Sequence, residues 1–155
     1  MKNFLVIIGI VILVSSCDPY MVYDTYSKTE GNAWKWSDIK TFEANMTDSI
    51  GLYNIIVNVR HNTSYPKSNL FVFLTTTAPT GISRRDTLEI KIADERGKWM
   101  GNGFSDVKLV SREYRKAVRF IVPGTYKFEI EQGMRMPEIP VTDIGLRIEE
   151  FKELR

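Results

Sequence analysis

Few side chains in this sequence are equipped for chemistry, and the context of each narrows what it can do. Cys17 is the single thiol and His61 the single imidazole. Cys17 follows Met1-Lys2-Asn3, an apolar run over 4–14 and the small pair Ser15-Ser16, which is the layout of a secretory leader and its cleavage site. A membrane-spanning helix needs about 20 apolar residues, and Asp18-Pro19 cuts this run short. With one cysteine the chain can form no internal disulfide and no multi-thiolate metal site. No Asp or Glu flanks His61 in Arg60-His61-Asn62-Thr63-Ser64, so the expected role is packing or hydrogen bonding at a strand end rather than metal ligation. Nucleophilic catalysis needs a base oriented beside a hydroxyl or thiol, and the sequence has no Gly-x-Ser-x-Gly elbow. A glycosidase needs only two carboxylates across a cleft. The 19 acidic residues of a chain with net charge +2 read instead as solvated surface groups. Gly97-Lys98-Trp99-Met100-Gly101-Asn102-Gly103 lacks the Gly-Lys-Ser/Thr ending of a phosphate loop and reads as a structural turn. The expectation is a protein that is not an enzyme and holds no metal or cofactor.

Binding features remain. Trp34, Trp36 and Trp99 offer large flat faces, either for a sugar ring or for plugging a core. The basic set Lys108, Arg112, Arg115, Lys116 and Arg119 would suit an anionic partner or lipid headgroups, and also fits simple alternation of exposure on a strand. Candidate ligand or partner contacts are Trp34, Trp36, Trp99, Arg60, His61 and Tyr65. Asp48-Ser49-Ile50 and Asp86-Thr87-Leu88 resemble the acceptor pattern for O-glycosylation of exported Bacteroidetes proteins, which nominates Ser49 and Thr87. The near-neutral charge gives no reason to expect nucleic acid as a partner.

The elements that must position these groups are strands. Apolar residues recur with period two between breaks of Gly, Pro, Asn and Asp, the pattern of antiparallel strands. Strands are predicted at 52–60, 69–77, 87–94, 107–114, 118–122, 125–131 and 144–151. In the first, Tyr53, Ile55, Val57 and Val59 share one face. In the second, Leu70 to Leu74 is apolar on both faces, which predicts a central strand covered on both sides. The segment 111–120 could wind as a helix, but the β-branched stretch ending at Pro123 argues against it. About eight or nine strands so spaced predict an all-β fold, an antiparallel two-sheet sandwich of jelly-roll or immunoglobulin-like type. The domain organisation expected is a cleaved signal peptide at 1–16, a lipidated and partly ordered N-terminal tether at 17–32 with one short alternation at 21–26, and the β-sandwich domain at 33–155.

Two resemblances sharpen this. Val14-Ser15-Ser16-Cys17 resembles the bacterial lipobox, which implies a diacylglyceryl group on the Cys17 sulfur and cleavage before it. Two or three acyl chains, palmitate among them, would hold far more firmly than one. Blocks spread over 34–151 are similar to the gliding-motility lipoprotein GldH family of Bacteroidetes. They include Arg60-His61-Asn62 with Tyr65-Pro66, Asn69-Leu70-Phe71-Val72-Phe73, Arg85-Asp86-Thr87-Leu88-Glu89, Gly97-Lys98-Trp99, Gly124 to Glu131, Met134-Arg135 and Asp143 to Glu149. The resemblance implies a lipoprotein anchored in the outer membrane of the cell envelope. It would be a non-catalytic structural or interaction component of the gliding and protein-secretion apparatus, with other envelope proteins as partners. A glycan-binding sandwich is the alternative.

Overall fold

The computed structural model describes residues 18–152. Ten strands build it: β1 (Met21–Lys28), β2 (Trp34–Lys35), β3 (Lys40–Met46), β4 (Tyr53–Asn62), β5 (Asn69–Thr77), β6 (Ser83–Lys91), β7 (Val107–Val118), β8 (Gly124–Gln132), β9 (Glu138–Ile139) and β10 (Val141–Glu150). Two four-stranded antiparallel sheets, ordered β1-β10-β4-β7 and β3-β8-β5-β6, face each other as an open sandwich, and β2-β9 is a separate two-stranded ladder. Apart from the β5–β6 hairpin, consecutive long strands lie in different sheets, so most loops bridge the sandwich at its ends.

The period-two faces predicted from sequence are the faces that pack. Val57, Val59, Leu70, Val72, Leu74, Ile90, Phe128, Ile130, Ile144, Leu146 and Ile148 are all fully buried. Each such side chain contributes about 1.5–3 kcal/mol relative to exposure. Polar groups fasten the open edges. At one, the Lys40 ammonium, itself buried, donates to the Lys28 carbonyl at 2.6 Å and pairs with Asp38 at 2.7 Å. At the other, Asp86 of β6 accepts from the Tyr114 hydroxyl at 2.5 Å and from Arg115 of β7 at 2.8 Å. The Tyr114 bond, then the Arg115 and Arg84 bonds, hold the Asp86 carboxyl below the usual carboxylate range.

Several expectations are corrected. Residues 21–28, read as part of a tether, form edge strand β1, paired along its length with β10. Its short alternation concealed this, because only Tyr23, Tyr26 and Ser27 are even half-buried. Of the segment 118–122 only Val118 is in a strand, as the last residue of β7. Ala117 adopts a left-handed φ of 51° and its N–H is taken by the Asn54 side chain, so the chain turns off the sheet, burying Phe120 and exposing Ile121 and Val122. Strand β5 is central, but its outer face is not fully covered: Phe73 lies under the Arg85 guanidinium, whereas Phe71 remains exposed. Strand β3 was missed, since Phe42, Ala44 and Met46 alternate with polar residues behind a lysine.

The Gly97–Gly103 run is structural, as expected. Gly97 (φ 77°) sits in a turn held by Asp94, whose carboxylate accepts from the N–H groups of Arg96 and Lys98. Gly101 (φ 81°) brings the loop back onto β7, where a Cβ would lie 2.0 Å from the Leu109 carbonyl oxygen. At Gly97 a Cβ would meet nothing within 4 Å. Gly97→Ala should therefore cost only the left-handed strain of about 1–2 kcal/mol, and Gly101→Ala about 2–4 kcal/mol once overpacking is added. Urea unfolding of the two variants checks the difference. Tyr114→Phe, which opens the β6–β7 clasp, should lower stability by about 1 kcal/mol in the same assay.

Candidate functional site

The register sorts the loops into two poles. Met21 pairs with Glu149, Glu150 with Tyr53, and Tyr53 with Val118, so the described chain begins at the pole where β10 ends. Loops 47–52, 78–82 and 119–123 share that pole. Loops 29–39, 63–68, 92–106 and 133–140 gather at the other, about one strand length away.

Most of the residues nominated from sequence lie at this distal pole, in different environments. Trp34 of β2 pairs with Ile139 of β9. Its indole is wholly buried and donates to the Asp38 carbonyl at 2.7 Å, so it closes the end of the core and presents no face to solvent. Trp36 is 52% exposed; its indole N–H donates to the Met134 carbonyl at 2.7 Å and its backbone N–H to Pro137. Trp99 is half-buried, with its ring 5.2 Å from that of His61. Three tryptophan faces side by side, as a sugar platform would need, are not assembled.

His61 is the last inward-facing residue of β4 and is fully buried, between Trp99 and the edge of Tyr65 at 5.8 Å. Its Nδ1 lies 3.0 Å from the Asn62 carbonyl, which makes Nδ1–H the donor, while Nε2 is buried without a partner. Burial, opposed by the Asn62 bond and aided by Lys108, holds the imidazole below its usual range. It is a neutral packing group with no open path to a substrate. Tyr65 is buried too; its hydroxyl donates to the Asn69 carbonyl at 2.9 Å, and burial pushes it above the usual tyrosine range. Arg60 points the other way, onto the outer face of its sheet. There its guanidinium lies 4.4 Å from the Tyr26 ring centroid and 3.9 Å from Asp143. That ring fits only because Gly145 lies beneath it, where a Cβ would approach to 2.6 Å.

What the distal pole does offer is a groove. It is about 660 Å³ in volume and lined by Pro66, Lys67, Phe71 and the loop Gly133 to Met136. The Met134 sulfur accepts from the Phe71 N–H at 3.3 Å, which seats the loop on β5, and Trp36 flanks it through the Met134 carbonyl. Methionines on an accessible surface adapt to varied partner shapes. Sequence reasoning passed over this groove, although two methionines and an arginine between Gly133 and Pro137 were the available signal. Of the other nominees, Thr87 is exposed on edge strand β6, with Asp86 committed to the clasp. Ser49 is half-buried in the 47–52 loop, where the Asp48 carboxylate accepts from the N–H groups of Ile50 and Gly51. Cys17 lies outside the described residues. Among the described residues there is no group of three or more His, Cys, Asp and Glu placed to hold a metal.

Comparison with known proteins adds a family. A family model described as GldH lipoprotein matches residues 21–148. The chain is 39% identical to the gliding motility lipoprotein GldH of Flavobacterium johnsoniae, over 96% of this chain and 97% of that protein. It is 37% identical to a gliding motility lipoprotein GldH homolog of Christiangramia forsetii, over 90% of each. Among solved structures, a likeness to infectious bursal disease virus, Gx strain, has a TM-score of 0.35 at 15% identity and covers 82% of this chain and 30% of that one; it carries no argument.

The burial of His61 sets a pH dependence. Its folded-state value lies below the ordinary imidazole value of about 6.5, so below that pH the unfolded chain binds more protons than the folded one and stability falls as pH drops. His61→Phe keeps an aromatic ring in the slot and removes this contribution. The Tm of the wild type relative to that of the variant should therefore fall between pH 7 and pH 5, as measured by thermal melts.

Proposed function

Since the chain belongs to the GldH lipoprotein family, we propose that it serves the gliding-motility apparatus as a lipid-anchored, non-catalytic docking subunit. In this reading Cys17 carries the acyl chains, the outer membrane of the cell envelope receives them, and the sandwich holds its distal groove toward other gliding or secretion proteins. The observation that carries the reading is the separation of the poles: the chain enters at one end, and the exposed Trp36 and the Phe71–Met134–Met136 groove lie at the other. Half-exposed aromatic and methionine side chains beside Lys67 and Arg135 have the composition of a protein-binding anchor site with a basic rim. The sealed, neutral state of the single imidazole supports a role without acid–base catalysis. We also read the order of the two main sheets as a jelly roll, whose end loops are its natural binding elements.

Two measurements test this reading. Cys17→Ala should move the protein from the detergent phase to the aqueous phase of a native extraction; an unchanged detergent partition would count against the anchor. A photo-crosslinker at Trp36 in a gliding host should capture a motility or secretion protein of the envelope. Trp36→Ala combined with Met134→Ala should weaken that capture by about 2 kcal/mol, roughly 30-fold in affinity, the size of one interface anchor. Normal gliding and undiminished capture by this double variant, at normal abundance, would refute docking at the groove.

A further inference from the structure

The pole at which the described chain begins is unusually apolar. Tyr20, Met21, Val22, Ile50, Leu52, Ile82, Ile121 and Val122 are all exposed, and they converge there from four separate segments. Three are loop tips: Ile50 is 79% exposed, Ile82 74% and Ile121 75%. The loops bearing them are braced from beneath. Phe120 packs tilted against Tyr53 and edge-to-face against Tyr126, with ring centroids at 5.6 and 4.7 Å. The Asp48 carboxylate fixes the turn before Gly51, and Pro79 packs against Gly124. Isoleucines held out on rigid turns are costly to leave in water, and a patch of this kind marks an interaction surface.

The occupant is indicated by where the chain enters and by charge. Asp18 is the first described residue. Its carboxylate pairs with Arg147 of β10, and the Asp18 carbonyl accepts from the Met21 N–H. Hence the described chain enters at this pole, and Cys17 precedes Asp18 by one peptide bond in the sequence. Exposed Lys116, Arg119 and Lys152 surround the patch. Lys152 Nζ lies 3.5 Å from the Tyr20 ring centroid and Lys116 Nζ 5.8 Å from that of Phe151. Tyrosine with lysine beside it, and apolar tips beyond, is the side-chain arrangement of a membrane interface. Of the carboxylates at this pole, Asp18, Asp86 and Glu149 are ion-paired, Asp48 is bound into its turn, and Glu150 is exposed.

We propose that this pole is a bilayer-docking face, on which Ile50, Ile82 and Ile121 enter the headgroup–acyl boundary beside the lipid anchor while Lys116, Arg119 and Lys152 contact anionic headgroups. The proposal rests on the lipid-anchored reading above. It adds that the domain stands upright on the membrane instead of drifting on a leash. The ten-residue β10 then holds the distal groove about 33 Å above the surface, so the anchor sets the height and direction at which a partner is met.

The test uses lipidated full-length protein in vesicles of phosphatidylethanolamine and phosphatidylglycerol. With the Cys17 sulfur acylated, Ile50→Cys, Ile82→Cys, Ile121→Cys and Phe104→Cys each carry one free thiol for an environment-sensitive fluorophore. Phe104, 95% exposed in the 92–106 loop at the far pole, reports water. The first three labels should shift to the blue and be quenched several-fold more strongly than the Phe104 label by vesicles carrying a headgroup-level spin-labelled lipid. Protein that floats with the vesicles while all four labels behave alike overturns the docking face and leaves the anchor standing. Protein that does not float removes the anchor, and the docking face with it. A native mass that maps a glycan to Ser49 also overturns the proposal, because sugar there would hold the loop tips off the bilayer.

Discussion

The burial of two facing apolar surfaces, with nothing covalent to help, is the constraint on which this protein depends. One cysteine in the whole sequence leaves no internal cross-link, so the sheets are held by the side chains between them and by a few polar clasps at the rims. Because consecutive long strands mostly alternate between sheets, each end loop is also a tie between layers. Packing failure in one sheet would free loops at both poles, and this links stability to the shape of any surface those loops make.

That arrangement divides the molecule lengthwise. The poles differ in chemistry as well as position: one presents isoleucine tips with lysine and arginine around them, the other a methionine-lined groove with a half-exposed tryptophan. Buried Trp34, His61 and Tyr65, with half-buried Trp99 against His61, lie beneath the second pole and form its foundation. The Trp34 indole, the Tyr65 hydroxyl and His61 Nδ1 are turned to backbone carbonyls, and His61 Nε2 is left without a partner.

Much of the fold was legible in the sequence because the sheet period is local. Tyr53, Ile55, Val57 and Val59 announce their shared face through their spacing alone, and so do Leu146 and Ile148. The misreadings have a common cause. Strand β1 buries little, so its pattern is weak, and Lys40 conceals the start of β3 by hiding an ammonium where the rule expects an apolar group. Beyond Val118 the chain keeps β-forming residues but loses its partner strand, and propensity alone has no means of registering that loss. The candidate site was less legible. Trp34 and Trp36 are two residues apart, yet one is sealed and the other half in water, because the β2–β9 ladder takes the first while the Met134 loop holds the second.

By itself, then, the sequence determined the all-β class, most of the inward faces, the structural nature of the glycine-rich turn, and the family. All of these rest on neighbours along the chain or on blocks of adjacent residues. Only the tertiary structure decided which loops share a pole, that Asp18 is pinned to Arg147, and that Tyr26 lies across Gly145 under Arg60. Asp18 and Arg147, and Tyr26 and Gly145, lie more than a hundred positions apart, and strand register, rather than any local pattern, brings them together.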